Sequence, residues 1–433
     1  MASSPFTVTE HIVACQHIRE YSRATRTAED PLKLVVKRYT PKSNPDPQPG
    51  DITIIGATGS GFPKELYEPI WNEVYEKLNR HGLRIRSIWI ADSANQSASG
   101  MLNEEYLGND QSWLDHSRDM LYMINKFKAD MPTPIMGVGH SLGAGQIALL
   151  SLMHPRLFTS LVLMEPVIEK DILTGKGPIF ATLSLARKDI WASRSQAVKF
   201  FKKSYKNWDP RTLELWIKHG LRSVRPGVDT SNSSDTNSSD AVTLTTSKHQ
   251  EVANYLRANF LHKRPLDVDN DPDTQFSHDP SLYPDVIGPP HAIHPFYRLE
   301  PILLWKLLKH IRPSVLYIFG EQSPLSTPKM RAEKLHRTGK GIGGSGGYKA
   351  DRVKEVTIPK TRHHLPFEDV SGVSDATAEW LNQEMLRWKA EEKRIKEGWL
   401  ELSRKERSSI PAEWHAHLKN YAVASRKKPR AKL

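Results

Sequence analysis

The stretch GVGHSLGAG, residues 137–145, decides the fold. It holds Ser141 in a Gly-x-Ser-x-Gly frame, with PIM before it and the helix-forming QIALLSLM after it. A serine hydroxyl is a poor nucleophile until a base takes its proton and dipoles stabilise the oxyanion that follows. A strand that stops at a sharp turn into a helix exposes such a hydroxyl, and glycines must flank it because the backbone there runs close to its neighbours. Gly139 and Gly143 supply that clearance. The helix N-terminus adds amide donors, of which the Leu142 N–H is the first.

Working outward, the same strand–turn–helix grammar recurs on both sides. LKLVVKRYTP reads as a strand by its β-branched run. ITIIGATGSGFPKELYEPIWNEVYEKL and RIRSIWIADSA lie upstream with the helical WLDHSRDMLYMINKF, and SLVLMEPVI follows as another strand. This alternation predicts an α/β protein with a mostly parallel central sheet and helices on both faces. Residues 1–168 form the first part of that core. From 169 to 312 the periodic segments are helical and are broken by DTSNSSDTNSSD and a proline-rich run, which predicts an inserted helical cap with a disordered loop near 227–247. Strands PSVLYIFG and VKEVTIP resume the core over 313–390. A last helix is expected from about 375 to 407, with Trp380, Leu381, Met385 and Trp388 on its packed face. Residues 391–433 carry the rest of it and a basic tail.

Composition narrows the function classes. The 433 residues are 38% hydrophobic and 25% charged, which suits a soluble globular protein. Cys15 is the only cysteine, so neither an intramolecular disulfide nor a cysteine-based zinc site can form. No cofactor and no metal are implied. The N-terminus lacks a basic-then-apolar leader, and no apolar run is long enough to span a membrane. The net charge of +12 could suggest nucleic acid, but residues 391–433 hold twelve Lys/Arg against six Asp/Glu and contain no recognition module. That tail ends in Ala431-Lys432-Leu433, which differs from the peroxisomal Ser-Lys-Leu address by one small residue. The import receptor is the expected partner and the peroxisomal matrix the expected location. The Gly-rich 339–349 segment lacks the spacing of a phosphate loop. It reads as a surface insertion whose Lys340 and Lys349 could touch a CoA phosphate.

GHSLG and HHLPFE resemble motifs of the α/β-hydrolase superfamily. GFPKELYEP and WLDHSRDML are similar to a narrower group, the fungal peroxisomal hydrolases that include the AK- and AF-toxin biosynthesis hydrolases and the yeast peroxisomal lipase. The resemblance implies an ester or acyl-CoA thioester hydrolase, serving a pathway built on a fatty-acid-like precursor of a secondary metabolite. It also implies a histidine base beyond the last strand. His363, in RHHLPFEDV, has the matching His-x-x-Pro-x-Glu spacing, and His364 is the alternative. In many such hydrolases the acid is an Asp three residues beyond the glycine that ends the penultimate strand, but here that position is Ser323. Two glutamates could replace it while keeping the order serine, acid, histidine. Glu165, where one subset of lipases places its acid, is preferred because the strand-Glu-Pro stop aims it at the sheet's carboxyl edge. Glu321 is the alternative. A second oxyanion donor is expected after ITII, where Thr58 stands in place of the usual histidine and Gly59 and Ser60 offer backbone N–H groups. The leading expectation is an acyl-enzyme on Ser141. An acyltransferase on the same fold and a non-catalytic scaffold that binds a ligand or partner are the competing readings.

Overall fold

A computed structural model describes residues 4–171, 176–225, 240–258, 262–263, 276–277, 281–285 and 296–426. The chain divides into two compact units, residues 1–382 and 383–433. In the first, eight strands form one sheet: β1 (Phe6–Ala14), β2 (Lys33–Pro41), β3 (Ile52–Ala57), β4 (Ile85–Ala91), β5 (Ile135–His140), β6 (Ser160–Met164), β7 (Ser314–Gly320) and β8 (Val353–Ile358). Their spatial order is β1-β2-β4-β3-β5-β6-β7-β8. Every pairing from β4 to β8 is parallel, whereas β2 runs antiparallel to both its neighbours. β3, β5, β6 and β7 are buried along their whole length. Covering both faces of these central strands explains why they read as continuous apolar runs rather than as alternating ones.

Helices Trp113–Lys126, Leu142–Met153 and Leu299–Leu307 cover one face, where Met120, Leu149 and Leu304 join Leu34, Ile55, Leu161 and Phe319 in one apolar cluster. Alternation along the strands points Gly56 and Ser160 the other way. There Trp71 of helix Glu68–Arg80 packs beside Gly56, and the buried Trp380 donates its indole N–H to Ser160 Oγ at 2.8 Å. The helix that carries Trp380 begins earlier and ends earlier than expected, spanning Val370–Lys396.

The inserted segment is not purely helical. Helices Gly177–Ala186, Arg194–Ser204, Pro210–His219 and Lys248–Tyr255 accompany a three-stranded sheet of Ile190–Trp191, Leu221–Ser223 and Val242–Leu244. Residues 242–244 correct the expectation of a disordered loop reaching 247. The strand Val242–Leu244, within the β-branched run AVTLTT, is buried between the other two strands, while residues 226–239 before it lie outside the described residues. In the second unit the final part of the Val370–Lys396 helix is followed by helices Arg404–Arg407 and Ala412–Arg426. The tripeptide Ala431-Lys432-Leu433 lies outside the described residues. Among the described residues no helix is long and apolar enough to cross a membrane.

Candidate active site

The turn at the end of β5 puts Ser141 at φ 55° and ψ −116°, a region that non-glycine residues seldom occupy. Its N–H donates to the Met164 carbonyl at 2.9 Å, tying the turn to β6. The neighbouring glycines are required sterically. A Cβ on Gly143 would stand 2.4 Å from the Ala57 backbone, and one on Gly139 would stand 2.6 Å from Ala144 Cα. The helix can therefore start hard against the end of β3, which brings the loop after β3 over the serine.

Ser141 Oγ lies 2.8 Å from His363 Nε2, and His363 Nδ1 lies 3.2 Å from Glu165 Oε2. An ionised carboxylate only accepts, so Nδ1 carries the ring proton and the bare Nε2 accepts from the serine hydroxyl. Glu165 follows β6 at φ 47°, and its N–H bonds the Ile318 carbonyl of β7. Its carboxylate is otherwise satisfied by the Gly320 N–H at 2.8 Å, Ser326 Oγ at 2.6 Å and Ser323 Oγ at 2.5 Å. Burial pushes this carboxyl up, but the bond from His363 and the two serine hydroxyls outweigh it and hold the group below its ordinary value. Arg331 braces the same loop, donating to the carbonyls of Gly320 and Ser326.

Of the two glutamates, the geometry brings Glu165 to the histidine. Glu321 instead accepts the Lys360 N–H at 2.8 Å and sits exposed at the surface. Of the two histidines, the bond to Ser141 Oγ is made by His363, and His364 takes its place among aromatic rings. It meets the rings of Phe62 and Trp208 edge-on, and burial, with His363 beside it, pushes its imidazole down to about 3. Gly59 is also corrected as an oxyanion donor, because its N–H is already given to the Tyr67 hydroxyl at 2.8 Å. Ser60 and Leu142 both line the cavity beside Ser141, and among the described residues no bond engages either backbone N–H. Sequence reasoning missed Ser323 and Ser326 as partners of the acid. The available signal was a hydroxyl at the position where a carboxylate is usual.

Ser141 and His363 open onto a cavity of about 570 Å³. Phe62, Trp113, Phe180, Leu183, Trp208 and Ile302 supply much of its apolar wall, and helices Gly177–Ala186 and Lys248–Tyr255 of the insertion roof it. A hydroxyl, a base, a buried acid and two backbone amides lining an apolar cavity are the parts that acyl transfer requires.

The sheet order, the strand–serine–helix turn and the covering insertion define an α/β-hydrolase. The chain belongs to the α/β-hydrolase family that includes the fungal type I acyl-CoA thioesterases, and it is an ester or thioester hydrolase by kinship. It is 37% identical over 443 aligned residues to the type I acyl-CoA thioesterase mpaH of Penicillium brevicompactum, with 99% of each chain covered. To mpaH of Penicillium roqueforti it is 40% identical over 91% of each chain. The abhydrolase domain-containing protein ACTT2-2 of Alternaria alternata is 28% identical, covering 67% of this chain and 99% of its own. Among solved structures, the peroxisomal α/β-hydrolase Lpx1 of Saccharomyces cerevisiae superposes at a TM-score of 0.66 over the whole of both chains, at 17% identity. No family model matches the chain.

Proposed function

We propose that the protein is a serine thioesterase that hydrolyses an acyl-CoA through an acyl-enzyme on Ser141. The observation that carries this reading is the bonded series Ser141–His363–Glu165 at the mouth of the apolar cavity. Ser141 Oγ attacks the thioester carbonyl while His363 Nε2 takes its proton, and the N–H groups of Leu142 and Ser60 receive the oxyanion. Collapse expels the CoA thiolate, which takes the proton back from His363. A water, deprotonated by the same nitrogen, then attacks the acyl carbonyl, and the free acid leaves as Ser141 regains its proton. Glu165 holds the tautomer and stabilises the imidazolium in both halves. Kinship with type I acyl-CoA thioesterases supports a thioester in preference to an oxygen ester. Similarity to the toxin-biosynthesis hydrolases supports a fatty-acid-like acyl group on the path to a secondary metabolite.

Labelling by a fluorophosphonate probe, together with thiol release from a panel of acyl-CoAs, tests the chemistry. Both signals are expected from the intact protein and from neither Ser141→Ala nor His363→Ala. A folded intact protein that neither labels nor releases thiol would favour a ligand-binding scaffold. The Ala-Lys-Leu terminus supports placement in the peroxisomal matrix. A fluorescent protein fused to the N-terminus is expected to enter peroxisomes with residues 431–433 present and to stay cytosolic without them. Identical distributions would remove the localisation proposal.

A further inference from the structure

One buried imidazole next to the nucleophile has no part in the mechanism above. His140 ends β5, its side chain is fully shielded from solvent, and its two ring nitrogens face two different loops of the site. Nε2 lies 3.0 Å from the backbone carbonyl of His363, and Nδ1 lies 2.9 Å from the Tyr67 hydroxyl. A carbonyl only accepts, so Nε2 must carry the proton of the neutral ring, which leaves Nδ1 as an acceptor. The Tyr67 hydroxyl must therefore donate to Nδ1, and its oxygen is free to accept the Gly59 N–H at 2.8 Å. Every bond in this series has a single allowed direction: Gly59 N–H to Tyr67, Tyr67 O–H to His140, His140 N–H to the carbonyl of His363. The series starts in the loop that carries Ser60 and finishes on the backbone of the residue whose imidazole faces Ser141. The loop also packs directly on the ring, since a Cβ on Gly59 would stand 2.9 Å from His140 Nδ1.

We infer that His140, with Tyr67, is a positioning residue that sets the oxyanion loop and the His363 backbone in register with each other across Ser141. This rests on the reading of Ser141, His363 and Glu165 as the catalytic group. A neutral ring is needed, because a proton on Nδ1 would leave the Tyr67 hydroxyl hydrogen with no acceptor in a dry interior. Burial and the neighbouring His363 both hold the ring in that neutral form. Two loops that reach Ser141 from opposite sides of β5, one after its neighbour β3 and one after the edge strand β8, would otherwise have to keep their spacing by packing alone. Displacements on the order of 1 Å in such a site cost about 100-fold in rate.

The test compares His140→Leu, His140→Gln and Tyr67→Phe in the full chain, reading kcat and KM for hydrolysis of a p-nitrophenyl ester, the rate of fluorophosphonate labelling, and the melting temperature. His140→Leu keeps the bulk without the bonds and is expected to lower kcat and labelling rate roughly tenfold or more, with KM within about twofold. The amide in His140→Gln can both donate and accept, so it should recover a clear part of that loss. Tyr67→Phe, which removes one oxygen from a shape-preserving ring, should reduce kcat in the same direction and decides the matter if His140→Leu fails to fold. Equal kcat in the intact protein and in folded Tyr67→Phe and His140→Leu would overturn the inference, as would a loss that His140→Gln does not relieve. An intact protein that does not label at all would instead overturn the reading on which the inference rests.

Discussion

At the scale of single residues, Ser323 explains how a hydrolase can keep its acid in an unusual place. Its hydroxyl sits 2.5 Å from Glu165 Oε2, the same oxygen that His363 Nδ1 reaches, so the position that usually supplies the carboxylate here supplies a donor to one. Ser326 and the Gly320 N–H satisfy the other oxygen. Glu165→Gln would set an amide against Ser323, Ser326 and the imidazole N–H, a set of groups suited to a full acceptor. Losing the tautomer control of the histidine by such a change costs about 10⁴-fold in kcat elsewhere in serine hydrolases. We expect a loss of that order, with melting temperature reduced by far less than activity. Adding Ser323→Asp to Glu165→Gln should return part of the rate, because the new carboxylate starts from a site already in contact with the acid's oxygen. Steady-state kinetics of the two variants checks this, and a Glu165→Gln enzyme within tenfold of the parent would mean that Glu165 is not the acid.

At the scale of elements, legibility followed how far local chemistry alone sets the conformation. The β5–Ser141–helix turn was readable because its two glycines are demanded by backbone contacts under 3 Å, a constraint that leaves its mark on the sequence itself. The buried parallel strands were readable as apolar runs, and Glu165 as a carboxylate at a strand-Glu-Pro stop. β1 was not read, because it is an edge strand whose middle residues face solvent and carry no inward pattern. The small sheet of the insertion was not read either. Its strands are two or three residues long, too short for any periodicity, and they pair across a gap in sequence that only the folded chain closes. The choice between Gly59 and Ser60 depended on a tyrosine hydroxyl eight residues away, and spacing along the chain does not encode which amide that hydroxyl will capture. Tertiary hydrogen bonds therefore decided the donors, while local sterics decided the nucleophile.

At the scale of the whole molecule, the pattern of buried ionisable groups sets how stability responds to acid. His116, on helix Trp113–Lys126, has no hydrogen-bond partner at either ring nitrogen among the described residues, and burial pushes it from 6.5 down to about 4. Burial pushes His364 to about 3, and His140 lies well below its ordinary value for the same reason. For a group whose pKa is depressed by folding, the unfolded chain binds the proton first as pH falls. The stability that these three histidines contribute is therefore complete above about 6.5 and is lost between 6.5 and their folded values. Asp115 acts in the opposite sense, since burial raises it to about 6, so its contribution grows as pH falls from 6 towards 4. Asp92, also raised by burial, acts in the same direction as Asp115. His219, pushed down to about 4, and His11 add to the histidine side, and Glu169 and Glu368, both raised by burial, add to the carboxylate side. Five depressed histidines stand against four raised carboxylates, with the largest shift on the histidine side, so the net expectation is a loss of stability as pH falls from 6.5 towards 4. Melting temperature followed at pH 7.5, 6.5, 5.5 and 4.5 should accordingly hold steady across the first two and then drop by roughly 5 °C or more. His364→Phe, which fills the same aromatic pocket without a titratable ring, should flatten part of that drop. A melting temperature that stays level or rises down to pH 4.5 would mean that the buried carboxylates outweigh the histidines and that the interior accepts the imidazolium ions.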